Sequence, residues 1–159
     1  MSQSRSFIVY APDVPEEESH YPPPFEEETV GHYRNLGRAL GTVNVGVGID
    51  RLTPGMRSSF THAHEQAEEI VYVLEGECHV RLLEPGKDPC EVPLRRGHVV
   101  AFIPGTRIAH CFVNRGTEDC VILTVGERKP DRTFYAEDHE YNAFYEAKSP
   151  EKFWHEGAR

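Results

Sequence analysis

The alternation of apolar and polar residues constrains the fold more than any other feature of this chain. From residue 42 to 52, TVNVGVGIDRL places valine or isoleucine at alternate positions, which is the period of a half-buried strand. Similar short runs continue to residue 125, at intervals of about 8 to 12 residues, and glycine and proline separate them. Roughly seven or eight short strands without an alternating series of helices predict an all-β sandwich or barrel.

A segment between two of these strands carries a candidate metal site. His62 and His64 are one residue apart, so in an extended strand their side chains project from the same face, roughly 7 Å apart. Glu69 follows a polar bend and precedes the strand-forming run IVYVL, which would return its carboxylate to the histidines. These residue types are ligands of divalent transition metals, and a fourth ligand could come from later in the chain.

Charge and hydropathy argue against several classes of partner. The 159 residues suffice for one domain with a sizeable core, and the formal charge of -9 disfavours nucleic acid and anionic membranes. The longest apolar runs, residues 70–74 and 99–103, are far shorter than the roughly 20 residues of a spanning helix. Because no secretory leader opens the chain and no C-x-x-C pair occurs, we expect a cytoplasmic protein with reduced cysteines.

Two regions of different composition flank the predicted strands. Residues 1–41 form an N-terminal arm in which prolines and acidic runs favour an extended chain. This arm could be a solvated linker, or it could dock on a neighbouring subunit through Phe7, Ile8, Tyr21 and Phe25. Residues 127–159 form an aromatic and charged tail that we expect to pack outside the barrel, with a short helix starting at Ser149.

Two motifs within residues 42–126 resemble those of the cupin superfamily, in particular of small single-domain bacterial cupins. The first motif is a glycine, an H-x-H pair, a glutamate and a closing glycine, represented here by Gly55, His62, His64, Glu69 and Gly76. The second motif runs from a glycine through Pro-Gly to a histidine and an asparagine, represented here by Gly97, Pro104, Gly105, His110 and Asn114.

The resemblance implies a double-stranded β-helix, or jelly-roll, barrel over residues 42–126. It also implies one divalent transition metal (Fe, Mn, Ni, Co or Zn) bound by His62, His64, Glu69 and His110. Three departures concern the spacing and chemistry of the motifs. Six residues rather than five separate Gly55 from His62, and the loop before His110 is two residues longer than the commonest form. His98 replaces the usual acidic residue of the second motif.

Strand alternation predicts which residues would surround the ion. Phe60 shares the face of the H-x-H pair, Val71 shares that of Glu69, and Phe112 shares that of His110, which gives a mainly apolar wall for a small-molecule ligand. Arg107 is the candidate for contacting a phosphate. The opposite faces of these strands are also largely apolar, so the terminal segments or a second subunit must cover them, and we predict a homodimer.

The resemblance leaves three functions open. Cupins include phosphosugar isomerases, so isomerisation or epimerisation of a sugar or sugar phosphate is the favoured hypothesis. An iron-dependent dioxygenase is the second hypothesis, because four protein ligands leave two positions of an octahedral ion open. No pair of residues can be assigned as general acid and base from the sequence, so catalytic residues are not named and a non-catalytic metal or small-ligand binding module is the third hypothesis.

Overall fold

The computed structural model describes residues 7–28 and 30–155, and it consists of two antiparallel sheets that face each other. The predicted all-β jelly-roll fold is therefore confirmed. Eleven strands follow one another along the described chain: β1 (Glu17–Glu18), β2 (His32–Arg34), β3 (Val45–Leu52), β4 (His62–His64), β5 (Glu69–Glu75), β6 (Glu77–Leu83), β7 (Cys90–Arg95), β8 (Val99–Phe102), β9 (Ala109–Val113), β10 (Cys120–Glu127) and β11 (Thr133–Tyr135).

The six-stranded sheet has the order β1-β2-β3-β10-β5-β8, and the five-stranded sheet has the order β11-β4-β9-β6-β7. The longest pairing joins β3 to β10 over eight residues, and β5 pairs with the other edge of β10. These central strands contain the alternating valines and isoleucines that the sequence identified. The short strands β1, β2 and β11 were not predicted, because two or three residues are too few to show a period.

Two helices lie outside the sheets, α1 (Leu36–Leu40) and α2 (His139–Lys148). The helix predicted to start at Ser149 is only a 3-10 turn, Pro150–Lys152, and the longer α2 ends just before it. Tyr141 is the one buried residue of α2, so this helix lacks the apolar stripe that would have revealed it in the sequence. No helix in the described part of the chain is long and apolar enough to cross a membrane.

The apolar core closes one end of the barrel. Leu52, Ile122 and Val73 are at most 1% exposed, and they come from three neighbouring strands of the large sheet. Asn114 is also fully buried: its amide group donates hydrogen bonds to the carbonyls of Leu52 and Glu118, and its side-chain oxygen accepts one from the Gly116 N–H. This asparagine therefore ties the turn after β9 to the closed end of the barrel.

The arm and the tail cover the outer face of the five-stranded sheet. Tyr21 and Phe25 of the arm pack against Phe60 and against Tyr141 of α2, with ring centroids 4.2 to 6.2 Å apart. Arg57, next to β4, pairs with Glu28 of the arm and Asp138 of the tail. Tyr21 and Phe25 thus contact the barrel of their own chain. Phe7 and Ile8 are exposed.

The outer face of the six-stranded sheet has no comparable cover among the described residues. Ile70 and Tyr72 of β5 are 43% and 39% exposed, and Val99, which pairs with Tyr72, is 59% exposed. The predicted alternation on β5 is confirmed, because Val71 and Val73, at the alternate positions of the same strand, are buried.

Candidate metal centre

Pairing between β4, β9 and β11 brings the predicted histidines together. His62 lies opposite His110 on β9 and opposite Tyr135 on β11, and His64 lies opposite Thr133. The H-x-H spacing places both imidazoles of β4 on the inner face, because alternate residues of a strand share a face. Glu69 enters from the other sheet, at the start of β5.

The four predicted ligands approach one another as two close pairs. His62 Nε2 lies 3.1 Å from His64 Nε2, and His110 Nε2 lies 3.3 Å from Glu69 Oε1. The ring centroids of His62 and His110 are 5.0 Å apart. Over residues 7–28 and 30–155 no three of these groups already surround a single point at coordination distances, so an ion would have to draw the two pairs together.

Hydrogen bonds at the Nδ1 atoms orient the histidines toward the barrel interior. His62 Nδ1 donates to the Phe60 carbonyl at 2.8 Å, and His64 Nδ1 donates to Asp131 Oδ2 at 2.6 Å. These bonds place the protons on Nδ1 and leave both Nε2 lone pairs facing each other. Two lone pairs 3.1 Å apart repel unless a cation or proton lies between them, so the arrangement suits a bound cation.

Asp131, between β10 and β11, is a site residue that the sequence did not reveal. Its second oxygen accepts hydrogen bonds from the backbone N–H groups of Gln66 and Ala67. Burial alone would raise the pKa of this carboxyl, but the bonds from His64, Gln66 and Ala67 outweigh it and hold the pKa below its usual value. Asp131 therefore stays ionised, and its bond to Nδ1 of His64 is the kind that supports a histidine whose Nε2 binds a metal.

The donor set fits a divalent transition metal. Two ligands bound at about 2.1 Å and at right angles lie about 3.0 Å apart, close to the spacing within each observed pair. Burial and the neighbouring His110 and His64 lower the pKa of His62 to about 3, so its imidazole is neutral, as a metal ligand must be. Burial opposes ionisation of Glu69, but His110 and the two other imidazoles lower its pKa overall.

The inner face of the six-stranded sheet forms a second wall of the site, which we call the polar wall and define as Tyr33, Asp50 and Thr124. Tyr33 lies opposite Asp50 in the β2–β3 pairing, and the Thr124 hydroxyl donates to Asp50 Oδ2 at 2.9 Å. Gly48 leaves room for this wall, and Gly126 lies beside Glu69. A Cβ on Gly48 would lie 2.1 Å from the Tyr33 ring, and one on Gly126 would lie 4.0 Å from Glu69 Oε2.

The polar wall lies between the apolar core and the metal ligands. Leu52 lies two residues farther along β3 on the same face, and Ile122 lies opposite Asp50 on β10; both are fully buried. Burial and the nearby Asp50 charge raise the pKa of Tyr33, and Glu69 acts on the same phenol. Burial, with a further contribution from Glu69, raises the pKa of Asp50 to about 7.

Arg128 extends the same inner face toward the open end of the barrel. Its side chain passes within 3.5 Å of the position that a Cβ on Gly46 would occupy, and its guanidinium donates to the Thr42 carbonyl at 3.0 Å. Arg128 also acts on the Tyr33 phenol as a nearby positive charge. Sequence periodicity could not reveal Arg128, because it follows the last residue of β10.

The residues predicted to contact a small-molecule ligand lie in different parts of the structure. Val71 and Phe112 are buried in the core beneath the metal ligands, while Phe102 of β8 stacks on the His110 ring with centroids 3.3 Å apart. Phe60 precedes β4, so strand alternation does not reach it; it belongs to the aromatic layer of Tyr21, Phe25 and Tyr141. Contact of Phe60, Val71 and Phe112 with a ligand stays a prediction.

Arg107 lies away from the four metal ligands. Its guanidinium stacks over Phe134 at 4.3 Å and over Trp154 at 4.6 Å, and it donates to the His155 carbonyl. Here Arg107 lines a separate cleft of about 240 Å³ between the tail and β6. The two additional residues before His110 form the bend that carries this arginine outward, and Arg107 itself adopts a left-handed φ of 59°.

Comparison with known proteins identifies the family of this chain. The cupin domain family matches residues 48–126, and no curated protein sequence matches the chain. Similar solved structures include a sugar phosphate isomerase of the cupin superfamily from Silicibacter pomeroyi, at 29% identity and a TM-score of 0.73 over 82% of both chains. A proposed sugar phosphate isomerase from Acidithiobacillus ferrooxidans has 28% identity and a TM-score of 0.70 over 84% of this chain and 83% of that one.

A polyketide cyclase from Streptomyces resistomycificus shows that the similarity of fold extends further than any one activity. It has a TM-score of 0.62 over 91% of this chain and 94% of the cyclase, but only 22% identity, which supports the fold alone. Both sequence motifs, the jelly-roll sheets and the family match agree, and the chain is therefore a cupin-domain protein.

Proposed function

We propose that this protein is a metal-dependent isomerase or epimerase of a sugar phosphate. The observation that carries the proposal is the cluster of His62, His64, His110 and Glu69 beside a polar wall inside the barrel. Two structures at 28–29% identity, over more than four fifths of this chain, bear the same type of activity in their names. A sugar phosphate offers hydroxyl and carbonyl oxygens to such a cluster and an anion to a nearby cation.

A divalent ion held by these four residues would polarise a carbonyl and its adjacent hydroxyl. The protein's own contribution is orientation and room. The hydrogen bonds at His62 Nδ1 and His64 Nδ1 fix the rings, and the glycine at position 48 leaves room for the Tyr33 ring on the inner face of the large sheet.

Arg128 is the residue that we propose for the phosphate, in place of Arg107. Arg128 lies on the same inner face as the polar wall, whereas Arg107 is stacked on Phe134 and Trp154 beside a different cleft. Arginine suits a phosphate because its planar guanidinium presents two parallel N–H donors. Replacing Arg128 with glutamine should raise KM for a phosphorylated substrate by about tenfold or more, while Arg107→Gln leaves KM unchanged.

Metal content tests the site. Protein purified without chelators or a nickel column should contain about one equivalent of Fe, Mn, Ni, Co or Zn by elemental analysis. The double substitution His62→Ala and His64→Ala should remove it, because two of four ligands are lost. The matched control is His98→Ala, since among the described residues the His98 side chain bonds only to the Arg95 backbone. Full metal content in the double variant would refute the assignment.

Activity is tested with aldose and ketose phosphates of five and six carbons, followed by NMR. Conversion of one isomer to another, without oxygen uptake, would support the isomerase. Substrate-dependent oxygen uptake by an iron form would instead support the dioxygenase hypothesis, and absence of both reactions would favour a binding module.

We also propose that the protein is a homodimer. Apolar residues Ile70, Tyr72 and Val99 share the outer face of the six-stranded sheet, and the described arm and tail residues pack on the other sheet. Contiguous exposed apolar area of this kind is typical of an interaction surface. A second copy offers the same face, so the two sheets could cover each other.

A further inference from the structure

Asp50 is an ionisable group of the inner wall that the metal site does not use. It lies on β3, between the fully buried Leu52 and the glycine at position 48, and its side chain is partly buried. The Thr124 hydroxyl donates a hydrogen bond to Asp50 Oδ2. Asp50 Oδ1 makes no hydrogen bond within the described residues. A carboxylate anchored at one oxygen and free at the other is arranged for exchanging a proton with a bound molecule.

The surroundings of Asp50 argue against a role in a structural ion pair. Carboxylates inside proteins are normally neutralised by a cation, yet no lysine or arginine pairs with Asp50 in the described chain. The groups that face it are the Thr124 hydroxyl from β10, the Tyr33 phenol from β2 and, farther away, the Glu69 carboxylate from β5. A carboxylate that bears the desolvation cost of burial without a structural ion pair is a candidate catalytic residue.

Gly48 provides independent geometric support. Any side chain at position 48 would collide with the Tyr33 ring, so the glycine lets Tyr33 lie flat on the sheet between Asp50 and the metal ligands. Tyr33, Asp50 and Thr124 thereby form a continuous polar surface that begins at the apolar core and ends at Glu69. The arm residue Tyr33 is thus part of the site even though it is far from the cupin motifs in sequence.

We propose that Asp50 is the proton-transferring catalytic residue of this site, with Thr124 as its positioning residue. This inference rests on the proposed isomerase function. The Asp50 carboxylate accepts the proton from the carbon next to the substrate carbonyl, and the C–H electron pair becomes the double bond of an enediolate. The proton returns to the neighbouring carbon, and a second proton passes between the two oxygens, so the substrate and product balance without an oxidant or reductant.

The raised pKa of Asp50, about 7, agrees with this role, because a general base is most effective when its pKa lies near the working pH. Burial is the main cause, and the Glu69 charge adds to it, whereas the bond from Thr124 favours the ionised form.

Hydrogen exchange into substrate tests the chemical step. The metal-loaded protein is incubated in D₂O with the same aldose and ketose phosphates, and NMR follows loss of the C–H signal beside the carbonyl. Asp50→Asn should slow exchange by about 10² to 10⁴ while metal content and inorganic phosphate binding stay unchanged. The matched control, Asp119→Asn, removes a surface aspartate that pairs with Arg51 and should exchange like wild type. Exchange by Asp50→Asn at the wild-type rate would overturn the inference.

A second measurement decides the inference without a substrate. Carboxyl ¹³C NMR of the full-length metal-free protein, assigned against Asp50→Asn, should show Asp50 titrating above about pH 6, far from the ~3.9 of a free aspartate. Thr124→Val should move the midpoint upward, since it removes a donor to the ionised form. A midpoint below about 5 would overturn the inference. Absence of exchange with every sugar phosphate, together with a high midpoint, would refute the proposed function but support Asp50 as the proton-carrying group.

Discussion

Replacing Asp131 with asparagine should weaken metal binding while leaving the barrel folded. The asparagine side-chain oxygen can still accept from the Gln66 and Ala67 N–H groups, so the loop keeps its two backbone bonds. Its NH₂ group would face His64 Nδ1, which now donates to Asp131 at 2.6 Å. A donor facing a donor favours the other tautomer, in which the proton moves to Nε2 and blocks the atom that would bind the ion.

Metal affinity should fall by about 10- to 100-fold, the usual effect of removing a carboxylate that supports a metal-binding histidine. This corresponds to a loss of roughly 1.4 to 2.7 kcal/mol in binding free energy. Isothermal titration of Mn²⁺ into chelator-treated protein measures it, and circular dichroism verifies folding. The matched control is Glu146→Gln, which removes a carboxylate beside an exposed histidine, His155, at 3.4 Å. A dissociation constant for Asp131→Asn within twofold of wild type would refute the supporting role.

Three further predictions concern stability and assembly. Asn114→Ala should lower the free energy of unfolding in urea by about 3 kcal/mol, because the fully buried Asn114 side chain makes three hydrogen bonds to backbone groups; a loss below about 1 kcal/mol would contradict this. The folded state of metal-free protein holds the Asp50 proton up to about pH 7, whereas the unfolded chain releases it near 4, so this group lowers stability as pH rises between those values. Asp50→Asn should therefore gain roughly 3 to 4 kcal/mol relative to wild type from pH 4 to pH 8, and an unchanged difference would contradict the raised pKa. Sedimentation should show a dimer at micromolar concentration that Ile70→Lys and Tyr72→Lys together convert to a monomer, and a wild-type monomer would end the dimer proposal.

The sequence predicted what depends on local spacing. Strand period and spacing were enough to name His62, His64 and Glu69, and the resemblance to cupins added His110; the structure brings these four residues close together. For Phe60 the same reasoning needs a strand that begins before His62, where β4 begins, so its place beside a ligand stays a prediction.

Residues that depend on long-range pairing could not be predicted. Tyr33 enters the site only because β2 pairs with β3 in one particular register, and Asp131 enters it because the chain after β10 returns beside β4. Neither segment shows a period of its own. The acidic, proline-rich N-terminal arm left open whether it is a solvated linker or docks on a neighbouring subunit. In the structure its aromatic residues Tyr21 and Phe25 pack on the same chain, which those charges do not indicate.

The layer of Tyr21, Phe60 and Tyr141 has a practical consequence for anyone who wishes to shorten this protein. The Tyr21 hydroxyl accepts a hydrogen bond from the Phe60 N–H, and the Phe60 carbonyl accepts one from the ring of His62, so two hydrogen bonds link the arm to a proposed ligand of the ion. A fragment limited to residues 48–126, the part that matches the family, would retain all four proposed ligands. It would lose Asp131, Tyr33 and both covering segments, so the smallest functional fragment has to include parts of both the arm and the tail.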